Sequence, residues 1–209
     1  MHPLVTPVLA LAGCLVLALP LSAQQLSEPF RQVYTGDDAT GKHVRALWQF
    51  DGDTPGKDMS GKGSDLTLRG AQFVSGGLFG GGLESFCGWP VEDKPHYASA
   101  RNNPDLCPTG AFSVELWIKP KAEIKGYPEA FLLDKKYVDN TDYQLTLGPA
   151  DGAEARAILM RLGFGADTAT CASLPVKFPP DQWRHIAFTY DGNGTGCFYV
   201  DGGAAGSTY

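Results

Sequence analysis

Residues 112–119, FSVELWIK, place a carboxylate and a tryptophan two positions apart, at Glu115 and Trp117. In an extended strand that spacing puts both side chains on one face, because successive side chains point to opposite sides. An exposed indole beside a carboxylate suits sugar recognition: the ring stacks on a sugar's apolar C–H face while polar groups bond its hydroxyls. The same alternation sends Phe112, Val114, Leu116 and Ile118 toward a core. Gln144, Thr146, His185 and Thr189 hold outward positions of other strand-like segments and can join the Glu115–Trp117 face.

Hydrolysis of a glycoside would need two carboxylates flanking the bond, about 5–5.5 Å apart for retention or 6.5–9.5 Å for inversion. Pro120 separates Glu115 from Glu123, and the adjacent Glu92 and Asp93 would point apart in a strand. The chain has no G-x-S-x-G nucleophile elbow, and His185 sits inside a strand pattern. The expectation is a non-catalytic chain.

Calcium has a better candidate in the segment running from Asp51 and Asp53 to Asp58 and Ser60. Three carboxylates, a hydroxyl and glycine carbonyls form the oxygen-rich set this ion takes. The alternative is an Asp/Gly turn that closes on itself through side-chain-to-backbone bonds. Asp191, Asn193 and Thr195 imitate the start of a calcium loop but lack its downstream bidentate acid, so a hairpin turn explains them better. Asn193-Gly194-Thr195 is also an N-glycosylation sequon.

With Cys14 set apart in an apolar leader, Cys87, Cys107, Cys171 and Cys197 remain, an even number that suits two disulfides. Three connectivities are open; local pairing, Cys87–Cys107 and Cys171–Cys197, is preferred. Each would close a loop of some twenty-odd residues, worth roughly 3 kcal/mol on chain-entropy grounds. Ligand spacing for zinc is missing. The excursion bounded by Cys87 and Cys107 carries Trp89 and Tyr97, which make it either a binding tip or a self-packed loop covering one end of the domain.

The elements that must position these residues are strands. The 26 glycines and 15 prolines are scattered among short apolar alternations, and no long window after residue 30 carries a helical stripe. Strands are expected around Trp48 and within 109–121, 129–137, 141–148 and 155–165. A hairpin is expected within 181–202, where Ile186, Phe188 and Tyr190 alternate with polar or small residues before a Gly/Asn turn. The net charge of −6, with Lys and Arg dispersed, excludes a basic nucleic-acid footprint. Residues 4–23 read as a secretory signal peptide ending at Ala23, followed by a polar linker or early edge over 24–43. An uncleaved or lipidated anchor is the alternative, since the run is long enough to span a membrane. The expected location is extracellular or periplasmic.

The residues Trp183, His185, Ala187, Thr189-Tyr190-Asp191-Gly192 and Tyr199-Val200-Asp201-Gly202 resemble the late hairpin of laminin-G-like domains. Those domains are a branch of the concanavalin A-like lectin/glucanase fold. Three further segments are similar in order: Trp48-x-Phe50-Asp51 with Asp58, Ser60, Gly61, Gly63 and Leu66; the glycine-rich 76–86; and 109–121. The resemblance covers 44–209 and implies an all-β, two-sheet antiparallel β-sandwich of the jelly-roll type. Relatives continue past the late hairpin, so the C-terminal strands are expected to be missing, the strand around Trp48 to lose a neighbour, and further domains to follow Tyr209. The resemblance further implies a glycan site on a concave outer face, at Glu115, Trp117, Gln144 and His185, and calcium at a rim loop. It also implies that Trp117 can lie under a loop. The E-x-D-x-x-E triplet of the laminarinase relatives is absent. The expected function is a secreted, lectin-like carbohydrate-binding module. A protein-binding adhesion module, or an accessory domain of a glycosidase- or sialidase-type enzyme, is the alternative. The expected partner is a glycan or an extracellular protein.

Overall fold

The strongest alternations in the chain become the paired strands of two sheets around one core. The computed structural model describes residues 43–85, 96–135, 141–151 and 155–208, all within the compact unit Val33–Tyr209. The expected signal segment and nearly all of the 24–43 linker lie outside the described residues. Among those residues no helix is long and apolar enough to cross a membrane.

The described residues form thirteen strands in chain order. Strands β1 (Leu66–Arg69) and β4 (Tyr97–Ala100) pair with each other, and β2 (Gln72–Gly77) with β3 (Gly80–Glu84) forms a hairpin. The first large sheet has the order β13–β12–β11–β5, from Gly203–Thr208, Gly196–Val200, Arg184–Tyr190 and Phe112–Ile118. The second has the order β10–β8–β7–β6, from Val176–Lys177, Ala155–Gly163, Tyr143–Asp151 and Ala130–Asp134. Strand β9 (Thr168–Ala172) shares an edge of β8 with β10. Every strand pairing among the described residues is antiparallel, as expected of this sandwich, beside one isolated parallel bridge between Gly70 and Tyr97.

The core lies between the two large sheets. Leu145, Leu147, Ile158 and Met160 enter from the second sheet and Ile186, Phe188 and Phe198 from the first, all at most 1% exposed. Full burial of one such side chain is worth about 1.5–3 kcal/mol. Phe112, Val114, Leu116 and Ile118 pack against this cluster, as their alternation requires. The sheets are joined along one side, where Leu174 N–H donates to Ala205 O at 2.7 Å.

One expectation needs correction: residues 44–50 alternate in type but form no strand. Their backbone is spent elsewhere: Leu47 N–H donates to Asp58 Oδ1 at 3.0 Å, and Leu47 O accepts from Met59 N–H at 2.8 Å. The segment GAAGST, to which the alternation pattern assigns no strand, forms β13 against β12. The glycines of 76–86 do serve close approach. A Cβ on Gly77 would lie 1.6 Å from Gly81 O, and one on Gly81 would lie 1.8 Å from Phe50 O.

Asp58 ties the opening segment to its loop. It is 1% exposed. Its Oδ1 accepts from Leu47 N–H, Ser60 N–H (3.0 Å) and Ser60 Oγ (2.6 Å), and its Oδ2 accepts from Ser64 N–H at 3.0 Å. Trp48 Nε1 donates to Ser64 O at 2.8 Å, so the indole is fixed by the same turn. Burial opposes ionisation of Asp58, but the bonds from Ser60, Ser64 and Leu47 outweigh it and hold the carboxyl below its ordinary value.

Asp58→Ala strands several buried N–H groups and is expected to lower unfolding stability by about 2–4 kcal/mol, read from urea denaturation. Because the folded value is depressed, the stabilisation is present above the unfolded carboxyl's value and is lost as pH falls through the folded one. The acid limb of the stability–pH profile is therefore steeper in the parent protein than in the variant.

Candidate functional site

Strands β7 and β8 turn Leu145, Leu147, Met160 and Leu162 into the core, so Gln144, Thr146 and Arg161 must emerge on the outer face of the second sheet. Gln144 stands directly opposite Arg161. Arg161 Nη1 donates to Glu129 Oε1 at 2.6 Å, Gln144 Oε1 at 2.9 Å and Thr146 Oγ1 at 3.4 Å. Thr146 Oγ1 in turn donates to Glu129 Oε1 at 2.6 Å. Thr146 is fully buried, whereas the Arg161 and Glu129 side chains keep 29% and 25% exposure. Within this network Arg161 spends one nitrogen and Gln144 only its carbonyl oxygen. Among the described residues, no further hydrogen bond engages the other side-chain N–H groups of either.

The register extends the cluster into a track. Thr170 opposes Arg161, Arg161 opposes Gln144, and Gln144 opposes Asp134, across β9, β8, β7 and β6. At about 4.8 Å between strands, that polar row spans about 14 Å. The neighbouring row is Ala172, Leu159, Thr146 and Phe131. Phe131 is half exposed, so an aromatic ring flanks a set of fixed donors and acceptors.

The expected four-residue site does not assemble as one. Glu115, Trp117 and His185 share the outer face of the first sheet, with His185 opposite Trp117 in register. Gln144 is on the other sheet, across the core from them. His185 Nε2 lies 3.5 Å from Glu115 Oε2 and holds that carboxyl below its ordinary value. The Trp117 ring is already occupied, by Phe79 in an edge contact at 5.8 Å and by His185 at 5.0 Å. It packs beneath the β2–β3 hairpin, the covered arrangement the resemblance allows.

The acidic loop spends Asp58 on its own backbone and hydroxyl groups. Asp58 and Ser60 meet, but the Asp58 oxygens receive N–H and O–H groups, which face a carboxylate and repel a cation. Asp51 and Asp53 are exposed. They line a small cleft of about 160 Å³ with Phe50, Lys57 and Met59. Among the described residues no group of three or more His, Cys, Asp or Glu is placed to hold a metal. Asp191 likewise closes a turn, accepting from the N–H groups of Asn193 and Thr195. Tyr97 is 52% exposed on β4, while Trp89 lies outside the described residues.

Sequence reasoning named Gln144 and Thr146 but missed Glu129, Phe131 and Arg161. The period-2 rule applied to 155–163 would have put Arg161 outside. The apolar run Ala157-Ile158-Leu159-Met160 masks that alternation.

Residues 93–209, more than half of the chain, match a laminin-G family model described as concanavalin A-like lectin/glucanases superfamily. A search of curated proteins finds no match. Among solved structures, the binding domain of Paraclostridial Mosquitocidal Protein 1 is similar at 16% identity and TM-score 0.53, over 73% of this chain and 37% of that one. A tryptophan-to-alanine mutant of HCR D/C VPI 5995 is similar at 14% identity and TM-score 0.52, over 72% and 35%. The chain thus spans about a third of the solved chains it matches, and at these identities the likeness is one of fold.

The expected Cys171–Cys197 disulfide is not formed. Cys171 points into the core, where burial raises its thiol above the ordinary value. Cys197 alternates with Gly196 and Phe198, which face inward, and so emerges on the outer side of its sheet. Cys107 is an exposed free thiol, and its expected partner Cys87 lies outside the described residues. Thiol alkylation of the native protein is expected to spare Cys171 until denaturant is added. Non-reducing peptide mapping is expected to show no Cys171–Cys197 bond.

Proposed function

Since the chain belongs to the concanavalin A-like lectin/glucanases superfamily, we propose that it is a non-catalytic carbohydrate-binding module, and that its binding surface is the outer face of the second sheet. The observation that carries this reading is the Glu129–Arg161–Gln144–Thr146 network beside the half-exposed ring of Phe131. Sugars offer hydroxyls that both donate and accept, together with apolar C–H faces. Uncommitted N–H groups of Arg161 and Gln144 and the second oxygen of Glu129 answer the first need, and Phe131 answers the second. Because the network is already formed, little ordering remains to be done on binding.

The reading is non-catalytic because Glu129 holds Arg161 and Thr146 with one oxygen, which makes it an anchoring group rather than a proton donor. It assigns no role to calcium, because Asp58 is filled by its own loop. It includes export through the leader at residues 4–23.

A glycan array followed by titration tests the proposal. Arg161→Ala and Phe131→Ala are each expected to weaken the best ligand at least tenfold, about 1.4 kcal/mol. Glu115→Ala, on the opposite outer face, is expected to leave it unchanged, and a chelator is expected to have no effect. A loss confined to Glu115→Ala would move the site to the first sheet. An array without any binder would leave the adhesion reading.

A further inference from the structure

The chain contains one Asn-Gly step, Asn193–Gly194. Both residues are exposed at the tip of the β11–β12 hairpin. Asp191 organises this turn: its Oδ1 accepts from Asn193 N–H at 2.7 Å and from Thr195 N–H at 2.9 Å, and its own N–H donates to Thr195 O at 3.1 Å. The intervening N–H, that of Gly194, donates to no group among the described residues. Gly194 adopts a φ of +112°, and a Cβ there would meet nothing within 4 Å. The space beside its Cα is therefore open. The Asn193 carboxamide makes one long bond, Nδ2 to Asp191 O at 3.4 Å.

We propose that Asn193 is a self-modification site, converted without an enzyme to aspartate and isoaspartate through a cyclic imide with Gly194. The Gly194 nitrogen attacks Asn193 Cγ, its proton passes to water, and the Cγ–Nδ2 bond breaks to release ammonia. Water then adds to either imide carbonyl and opens the ring. Water is the only co-reactant, and nothing is oxidised or reduced. The other asparagines are less suited: Asn102 precedes Asn103 and Asn140 precedes Thr141, whose side chains crowd the attack, and Asn103 precedes Pro104, whose nitrogen has no hydrogen.

The consequence falls on the hairpin. Either product sets a second carboxylate beside that of Asp191. Isoaspartate also lengthens the main chain by one atom, so the two N–H groups that share Asp191 Oδ1 lose their spacing. This turn joins the strands that carry Phe188 and Phe198 into the core, so the modified protein melts lower than the fresh one.

The test is to age the folded full-length chain in mildly alkaline buffer, map peptides by mass spectrometry, and detect isoaspartate by enzymatic methyl transfer. The expected result is a gain of one mass unit with isoaspartate at position 193, at least tenfold faster than at Asn102 or Asn140, and its loss in Asn193→Gln. Equal rates at all three sites would overturn the proposal. So would a signal that survives in Asn193→Gln, or reaction only after unfolding in urea.

Discussion

Packing of the two inner sheet faces, with Phe112 of the first sheet against Tyr143 of the second at 5.5 Å between ring centroids, imposes the constraint that orders the rest of the molecule. Each strand of the large sheets must supply apolar side chains at every second position. The residues between them are then sent outward, whatever their type. This is why Gln144 and Arg161, on neighbouring strands, meet directly, and why Glu115 and His185 meet on the far side. It is also why Cys171 and Cys197 do not pair: each obeys the parity of its own strand, so Cys171 turns into the core beside Gly196 while Cys197 turns to the outer side of its sheet. A cysteine count that is even, in a chain with an exported-looking leader, carries no information about parity.

A second constraint is local. Turns in a sandwich leave backbone N–H groups without ladder partners, and such groups must be satisfied where they are buried. Here aspartates do this work. Asp58 gathers the opening segment, Asp191 closes the β11–β12 turn, and Asp201 accepts from His185 N–H at 2.8 Å while pairing with Arg184 at 2.7 Å. An aspartate that already receives several N–H groups presents the wrong polarity to a cation. At Asp58 the acidic pattern serves backbone satisfaction, the alternative reading of that segment.

The fold was largely legible because its strongest elements are periodic. Phe112–Ile118, Tyr143–Asp151, Ala155–Gly163 and the Arg184–Val200 hairpin all coincide with visible alternation. The segment around Trp48 alternates as well and still forms no strand. Alternation describes a side-chain pattern, whereas a strand also needs a hydrogen-bonding neighbour, and Asp58 and Met59 take the backbone groups of Leu47. The candidate site was legible only in part. Gln144 and Thr146 follow from parity, but that they share a face with Arg161, and that Glu115 does not, depends on strand order. Order is set by long-range pairing, which a local pattern does not contain. Glu129 lies outside any strand, so parity has nothing to say about it.

Stability alone is a weak reason for the polar network on the second sheet. An ion pair with both partners at about a quarter exposure gains little over its solvated components, and the fully buried Thr146 hydroxyl could have been a valine without leaving a polar group to satisfy. What the arrangement does accomplish is to fix three long side chains and a hydroxyl in one geometry, with the entropic cost met during folding. Preorganisation of that kind has no value to a surface that only faces water. It has value to a surface that meets a ligand rich in hydroxyls, whose own losses on binding are then not compounded by those of the protein. The physics of the network therefore supports the proposed binding role, and three of its four residues, Glu129, Thr146 and Arg161, are ones that the family resemblance did not single out.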